Sequence, residues 1–181
     1  FNNSKLKDSL IKTKAVKIAK TRVFTAVSVE KILCDRALFG PFKEEYTKNR
    51  TVFRHAIGIN PMSTDWEELW NALNVHNKKF DLDYEDYDKH LANWILRACF
   101  KIIIESINNS SKDNWKEGRW RLAEMSIDSI IVDFSSVFKI HQGNQSGDDL
   151  TTVINNICND ILGFYSFVVI TGESSLSEFR A

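Results

Sequence analysis

Residues 143–155 carry the sequence GNQSGDDLTTVIN, and this stretch decides how the chain is expected to fold. Its two glycines allow positive φ and a close approach of two backbones, which is typical of a tight loop. Apolar residues then recur at helical spacing and predict a helix from about residue 150 to 164. Thr151 and Asn155 are four residues apart and therefore lie on one face of that helix. A Gly-rich turn with capping residues would explain the glycines, but it needs no Asn one helical turn beyond a Thr.

A cluster of acidic residues, DYEDYD at positions 83–88, forms a second pattern. Alternating polar and apolar residues over 79–83 predict a half-buried strand that ends at Asp83. Two carboxylates across the end of such a strand, Asp83 and Asp88, suit Mg²⁺, which prefers oxygen ligands. The acidic residues would also complement the positive end of a helix dipole, so the pattern by itself leaves both interpretations open.

The strongest helical period follows this acidic cluster and ends near residue 108. Its apolar stripe consists of Leu91, Trp94, Ile95, Ala98, Cys99, Ile102 and Ile103. Further helices are predicted over 29–42, 65–74 and 114–128, the first ending near Gly40 because Pro41 disfavours helical geometry in the residue before it. Apolar segments at 130–134 and 137–140 predict a hairpin. This irregular alternation favours a helix-rich α+β fold with a small antiparallel sheet.

Composition excludes a disordered chain, because 43% of the 181 residues are hydrophobic and 27% are charged. The net charge is zero, yet residues 1–60 carry 13 Lys/Arg against 5 Asp/Glu, and the remainder carries 11 against 19. Residues 5–22 alone hold seven basic residues and one acidic residue. This basic stretch suits a polyanion, although a solvated amphipathic face would have the same composition.

Cysteine spacing and hydropathy exclude two other classes. Cys34, Cys99 and Cys158 lack the close spacing of zinc ligands, and their odd number argues against a disulfide framework, so reduced core residues are expected. The apolar stretch 161–170 is too short to span a bilayer of roughly 30 Å, and we expect no transmembrane segment.

Taken in order, these patterns resemble the motifs of RNA-dependent RNA polymerases from picornavirus-like positive-strand RNA viruses, most closely the dicistrovirus and iflavirus groups. Motif A of that family, D-x-x-x-x-D, is matched by Asp83 and Asp88. Motif B, S-G-x-x-x-T-x-x-x-N, is matched by Ser146, Gly147, Thr151 and Asn155. Motif F, a basic stretch that ends in K-x-R behind a Leu-Lys-Asp element, is matched by Lys7, Lys20 and Arg22. The resemblance covers nearly the whole chain.

The resemblance implies a fragment of a right-hand polymerase, with residues 1–75 in the fingers and 76–181 in the palm, interrupted by a fingers insertion at about 108–140. It implies that a primer 3′-hydroxyl attacks the α-phosphate of an incoming ribonucleotide, with Mg²⁺ (or Mn²⁺) as cofactor. Asp83 would be the catalytic metal ligand. Asp88, Ser146, Gly147, Thr151 and Asn155 would surround the nucleotide sugar, with Asp88 and Asn155 close enough to bond directly or through one water. Lys7, Lys20 and Arg22 would bind the triphosphate.

The expected partners are template and product RNA, ribonucleoside triphosphates and other viral replication proteins. The expected location is the host cell cytoplasm, at membrane-associated replication complexes in the full-length parent.

The family's motif C, a Gly-Asp-Asp between two apolar strands, is expected to be absent, as is the thumb. The sequence does contain Gly147-Asp148-Asp149, but a helix follows it and no apolar strands flank it. We therefore reject it as motif C and expect the chain alone to be inactive.

Two alternatives remain from other classes. A reverse-transcriptase-like palm polymerase would typically carry an aromatic residue at the position of Asp88. A non-enzymatic, helical RNA-binding module would explain the basic start of the chain, but not Asp83 and Asp88 together with the motif B residues.

Overall fold

The computed structural model of the chain describes residues 2–6, 23–75, 77, 79, 81–107, 114–133 and 136–180. Its strands are β1 (Asn2–Leu6), β2 (Val23–Ala26), β3 (Ile130–Asp133) and β4 (Ser136–Lys139). Its helices are α1 (Val29–Lys48), α2 (Arg50–Phe53), α3 (Asp65–Leu73), α4 (Tyr87–His90), α5 (Asn93–Ile107), α6 (Lys116–Ile127), α7 (Thr151–Thr171) and α8 (Leu176–Arg180). The predicted helix-rich α+β fold is confirmed.

The four strands form one sheet in the order β2-β1-β3-β4. β1 pairs antiparallel with β2, and β3 pairs antiparallel with β4, which confirms the predicted hairpin. The central pairing of β1 with β3 is parallel, with Asn2 opposite Ile131. β1 and β3 are therefore far apart in the sequence but neighbours in the sheet. β4 lies exposed at the edge of the sheet.

The hydrophobic core lies where α5 packs between α6 and α7, with part of α1 against them. Because α5 has a neighbour on two sides, it buries two adjacent rows of side chains instead of the single predicted stripe. The predicted stripe is therefore wrong at Trp94 and Ile102, which are 65% and 46% exposed. The buried residues of α5 are Ile95, Leu96, Cys99, Phe100, Ile103 and Ile104.

Helix α1 does not end near Gly40, and that prediction is wrong: the helix continues through Pro41 to Lys48. Proline removes one backbone hydrogen bond, and its ring clashes with the carbonyl four residues before it. Tertiary contacts hold this turn in place, since Arg119 Nε of α6 donates to the neighbouring carbonyl, Leu38 O, at 2.9 Å. Phe39 and Tyr46 are buried on either side of the proline and hold both halves of the helix against the core.

The predicted strand over 79–83 is also wrong for the residues described, since residues 81–84 are irregular and exposed. A strand requires a neighbour to complete its backbone hydrogen bonds, and within the described residues no strand pairs with this segment. Leu82, the apolar residue of the alternating pattern, is 72% exposed. Asp83 therefore lies in a loop just before α4.

Two of the three cysteines confirm the expectation of reduced core residues. Cys99 of α5 and Cys158 of α7 are free and buried, and their sulfur atoms are 3.3 Å apart. Cys34 is exposed, so the prediction is wrong there, because α1 turns Lys31, Asp35 and Phe39 inward instead.

Helix α7 is the one helix in the described part of the chain that is long and apolar enough to cross a membrane. Its first half packs in the core, where Val153, Ile154, Ile157 and Cys158 are buried. A core helix meets the same criteria of length and composition. The expected lack of a transmembrane segment stays a prediction.

Two neighbouring isoleucines, Ile103 and Ile102, distinguish a buried face of α5 from its exposed face. We expect Ile103→Ala to lower the free energy of unfolding by about 2–5 kcal/mol, because the side chain is fully buried and its loss leaves a cavity. Ile102→Ala, in the exposed row, should cost less than about 1 kcal/mol. Urea denaturation of both variants measures the difference, and equal losses would contradict the packing of α5 between two helices.

Candidate nucleotide-binding site

Asn144 joins the two segments that carry motifs A and B. Its backbone N–H donates to Asp88 O at 2.7 Å. Its side-chain Nδ2 donates to Asn155 Oδ1 at 2.8 Å and lies 3.2 Å from Thr151 O. Asn144 is 5% exposed, so these bonds satisfy polar groups that would be costly to bury alone. One buried amide therefore holds the end of motif A against the helix of motif B.

A short backbone ladder strengthens this junction. Gly143 N–H donates to Leu91 O at 2.8 Å, and Ala92 forms an antiparallel bridge with Gln142. Gly143 has φ +91°, and a Cβ at this position would lie 2.6 Å from Asp88 O. The first glycine of the loop is therefore required both by its conformation and by the close approach of the two segments.

Asn155 is fixed from a second side by Tyr87, whose hydroxyl donates to Asn155 O at 3.1 Å. Burial raises the pKa of Tyr87, so the hydroxyl stays protonated and remains a donor. Because Asn144 occupies Oδ1 of Asn155, the Asn155 amide group is oriented with its N–H donors away from that contact.

Thr151 closes the loop that precedes α7. Its Oγ1 donates to Asp148 O at 2.8 Å and also contacts Gln145 O. Ser146, between these carbonyls in sequence, is exposed at the tip of the turn. The hydroxyl of Thr151 thus shapes the loop from within, while the hydroxyl of Ser146 faces solvent.

Gly147 brings the loop into contact with β2. It forms a parallel bridge with Ala26, and a Cβ on Gly147 would lie 1.9 Å from Thr25 O. No side chain fits between these backbones, so Gly147 of motif B packs directly on β2. Lys7, Lys20 and Arg22 themselves lie outside the described residues, and their predicted role stays a prediction.

Asp148 and Asp149 are engaged in ion pairs with α1. Asp148 Oδ2 accepts from Lys31 Nζ at 2.7 Å and from Ser126 Oγ at 2.7 Å, and its side chain is nearly fully buried. Asp149 pairs with Lys43 at 2.9 Å. The residues precede a helix instead of sitting in the turn of a hairpin, which agrees with their rejection as motif C.

Lys31 is itself shared between two carboxylates, since its Nζ is 2.6 Å from Asp35 Oδ2 as well. Burial works to lower the pKa of Lys31, but Asp148 and Asp35 outweigh it, and the pKa is raised. Burial raises the pKa of Asp35 to about 6; Lys31 opposes this rise, while Asp148 and Asp149 add to it.

The two aspartates of motif A are placed differently. Asp83 lies in an exposed loop, and no hydrogen bond connects its side chain to motif B within the described residues. Asp88 lies in the first turn of α4 with an exposed side chain, and its carbonyl is the group that Asn144 binds. No direct hydrogen bond joins the side chains of Asp88 and Asn155 among the described residues. Asn144 bonds the backbone carbonyl of Asp88 and the side chain of Asn155, and the predicted approach of the Asp88 carboxylate to the Asn155 amide stays a prediction.

Metal binding by three or more protein ligands has no support in the described residues, where no three His, Cys, Asp or Glu side chains cluster suitably. An exposed carboxylate such as Asp83 nevertheless fits Mg²⁺, which binds proteins through one or two carboxylates and completes its shell with phosphates and water. The donor chemistry is therefore compatible with a metal held jointly by protein and substrate.

Three residues that position the site were missed at the sequence level: Asn144, Tyr87 and Lys31. Tyr87 stands at a variable position of motif A, and Asn144 lies two residues before the Ser that opens motif B. Lys31 lies far from both motifs in sequence, and only its place on the buried face of α1 distinguishes it from other lysines.

The fold is that of the right-hand polymerases. The solved structure of a Sicinivirus 3Dpol RNA dependent RNA polymerase matches with a TM-score of 0.75, over 92% of this chain and 35% of that chain. The sequence identity is 22%, so this likeness concerns the fold. It confirms the prediction of a fragment of a right-hand polymerase.

The sequence model described as viral RNA-dependent RNA polymerase matches residues 1–176. The chain belongs to this family. It is 41% identical over 180 residues to the replication polyprotein of Nora virus, covering 99% of this chain and 9% of that polyprotein. It is 30% identical over 170 residues to the genome polyprotein of Human parechovirus 5 (strain CT86-6760), covering 93% and 7%. The genome polyprotein of Deformed wing virus is 27% identical over 180 residues, covering 96% and 6%.

These relatives confirm the predicted resemblance to picornavirus-like polymerases. The chain spans less than a tenth of each of these polyproteins and about a third of the solved polymerase. It therefore corresponds to one segment of those longer proteins.

The contact between Gly147 and β2 predicts a large effect of a single methyl group. We expect Gly147→Ala to lower the free energy of unfolding by about 3 kcal/mol, because the new Cβ would overlap Thr25 O and force the strand from the loop. Gly40→Ala is the matched control, since no atom lies within 4 Å of a Cβ there and alanine favours a helix by up to about 1 kcal/mol. Thermal unfolding compares the two variants, and an unchanged Gly147→Ala protein would contradict the contact.

The buried carboxylate of Asp35 predicts a pH-dependent stability. Its folded-state pKa of about 6 lies above the ordinary value of 3.8, so the folded chain binds this proton more tightly than the unfolded chain. Proton binding by Asp35 therefore adds to the free energy of unfolding below about pH 4, and this contribution is lost as the pH rises through about 6. We expect Asp35→Asn to gain stability relative to the wild type as the pH rises from about 4 to about 7.5, because the amide does not titrate and Lys31 keeps Asp148 as its counter-ion.

Urea denaturation across this pH range measures the difference between the two proteins. Glu44→Gln is the control, because Glu44 is an exposed carboxylate of the same helix paired with Lys48, and surface pairs contribute little. A difference between Asp35→Asn and wild type that does not vary with pH would rule out titration of Asp35 as its cause.

Proposed function

We propose that the chain is part of an RNA-directed RNA polymerase of a positive-strand RNA virus, in which the loop at 143–150 and the start of α7 form the ribonucleotide site. The observation that carries the proposal is the junction at Asn144, which joins Asp88 to Asn155 and Thr151. Family membership favours this function over a helical RNA-binding module or a reverse-transcriptase-like enzyme.

Sugar selection is assigned to Asp88, Ser146 and Asn155. The carboxylate of Asp88 is exposed and accepts hydrogen bonds, which suits a ribose 2′-hydroxyl. Asn155 has its Oδ1 occupied by Asn144, so its amide hydrogens are the groups free to face a ligand. A deoxyribose would leave these groups without a partner. Gly147 and Thr151 contribute by shaping the loop.

Triphosphate binding is assigned to Lys7, Lys20 and Arg22 of motif F. The packing of β2 on Gly147 supports this, because β2 begins one residue after Arg22 and leads to the loop of motif B. Arg offers a planar fork to phosphate oxygens and Lys a point charge.

Asp83 is assigned as the catalytic carboxylate that holds Mg²⁺, or Mn²⁺ in its place. Its exposure in the loop before α4 is consistent with a ligand that shares the ion with substrate phosphates. When bound, the ion supplies positive charge at the reacting phosphate. Asp83 would place this charge near the sugar site, since it lies five positions before Asp88 in the sequence.

The proposed division into a fingers region at 1–75 and a palm region at 76–181 has one supporting feature. β3 and β4 belong to the segment at about 108–140, yet they complete the sheet begun by β1 and β2. This pairing is consistent with a fingers insertion within the palm. Motif C and the thumb are not recognised in the sequence, and we infer that the chain alone does not polymerise.

The partners that follow from this function are template and product RNA, ribonucleoside triphosphates and other viral replication proteins. The site of action would be the host cytoplasm, at membrane-associated replication complexes.

A polymerase that contains this chain provides the test of the site residues. We expect Asp88→Ala or Asn155→Ala to reduce its preference for ribonucleotides over deoxyribonucleotides by roughly ten- to a hundredfold, because one hydrogen bond to the 2′-hydroxyl is lost. Asp83→Ala should abolish incorporation of both. Single-nucleotide primer extension with each triphosphate measures the ratio.

Glu85→Ala is the matched control, since Glu85 is an exposed acidic residue of the same cluster that stands at a variable position of motif A. The isolated 181-residue chain is the negative control and should extend no primer. If Asp88→Ala slowed both sugars equally, Asp88 would have a structural role and the assignment of sugar selection would be wrong.

A further inference from the structure

A buried cluster of charges connects α1 to the loop of motif B. Lys31, Asp35 and Asp148 are 5%, 1% and 7% exposed. Lys31 Nζ lies 2.6 Å from Asp35 Oδ2 and 2.7 Å from Asp148 Oδ2. Ser126 Oγ of α6 donates to the same oxygen of Asp148 at 2.7 Å. Three separate parts of the chain therefore meet at one carboxylate.

The two carboxylates of this cluster differ in what they hold. Asp35 is one turn from Lys31 on the same helix, so their contact stays within α1. Asp148 belongs to the loop, and its Oδ1 also accepts from Leu150 N–H at 3.1 Å. Its backbone closes the turn as well, since Asp148 N–H donates to Gln145 O at 3.2 Å. Fixing Asp148 therefore fixes the turn that contains Ser146 and Gly147.

We infer that Lys31 is a positioning residue for the loop at 143–150: its buried ammonium group holds Asp148, and through Asp148 it sets the position of Ser146 and Gly147. Lys31 acts without contacting the nucleotide, because its Nζ is enclosed between Asp35, Asp148 and the surrounding protein. The consequence for nucleotide selection rests on the proposed function, whereas the mechanical role of Lys31 does not.

Electrostatics explains why this contact would control the loop. Removing the cation leaves two buried carboxylates without a counter-ion, and an unpaired buried charge is strongly unfavourable. Asp35 cannot leave the helix, but Asp148 is in a loop and can reach solvent if the turn opens. The relief of unpaired charge is therefore expected to open the loop and not to unfold α1.

Amide hydrogen exchange of the 181-residue chain tests this role, with the Leu150 amide as reporter because it is bonded to Asp148 Oδ1. We expect Lys31→Met to accelerate its exchange at least about tenfold, with little change at Ile103 in the core. The effect should persist in an Asp35→Asn background and fall below about threefold in an Asp148→Asn background, because Lys31 acts through Asp148. Lys48→Met is the matched control, an exposed ion-pair lysine of the same helix.

Several results would overturn the inference. Equal acceleration at Leu150 and Ile103 would make Lys31 a residue of global stability. If the faster exchange of the Leu150 amide in Lys31→Met disappeared in the Asp35→Asn background, or persisted in the Asp148→Asn background, Lys31 would not act through Asp148. If Lys31→Met does not fold, Asp148→Asn must accelerate the Leu150 amide while Asp35→Asn does not, and equal effects would refute the role of Asp148.

The link to the nucleotide is measured separately in a polymerase that contains this chain. Lys31→Met should raise the KM for a ribonucleotide severalfold and lower the ribose preference, and Lys31→Arg, which keeps the charge, should restore part of both. Unchanged ribose preference with an opened loop would refute the functional consequence alone. Failure of the exchange experiment would leave the proposed polymerase function standing, because exchange requires neither nucleotide nor catalysis.

Discussion

The hydrogen bonds of Asn144 are the interaction on which the arrangement of the site depends. Motif A and motif B are distant in sequence, and among the described residues no direct hydrogen bond joins the side chains of Asp88 and Asn155. Asn144 spans the gap with a backbone donor to Asp88 O and a side-chain donor to Asn155 Oδ1. Because Asn144 is buried, a side chain without an N–H donor at this position would leave Oδ1 of Asn155 without this partner in the interior. The backbone bond to Asp88 O does not depend on the side chain. The site is thus positioned by a residue that lies just outside motif B.

Much of the fold could be predicted from local signals. Helical period located α3, α5, α6 and α7, and the hairpin of β3 and β4 followed from its apolar segments. The errors occurred where tertiary contacts decide. Arg119 and the buried side chains on both sides of Pro41 keep α1 continuous against the local preference of proline. The alternating pattern at 79–83 suggested a strand, but alternation supplies no partner, and the described residues provide none.

For the candidate site, as for the fold, local sequence patterns located some residues and missed those that depend on tertiary contacts. Motif spacing singled out Asp88, Thr151 and Asn155, and Asn144 bonds to all three. Their contact with a nucleotide stays a prediction. Spacing could not identify Lys31, because a buried lysine has the same letter as a solvated one. Its role is visible only once α1 and the loop are packed, when two carboxylates reach its ammonium group. Long-range pairing of this kind leaves no periodic signal in a sequence.

The ion pairs between α1 and the loop at 143–150 change how the charge asymmetry of the chain is interpreted. A basic first third and an acidic remainder suggested separate surfaces, one for a polyanion and one for metal. Part of that asymmetry is instead neutralised internally, where Lys31 and Lys43 of α1 meet Asp148 and Asp149 of the loop. Carboxylates already paired with buried or partly buried lysines are poor metal ligands, because binding a cation would require breaking those pairs. The acidic residues next to Gly147 therefore attach the loop to α1, whereas Asp83 and Asp88 of the acidic cluster are exposed.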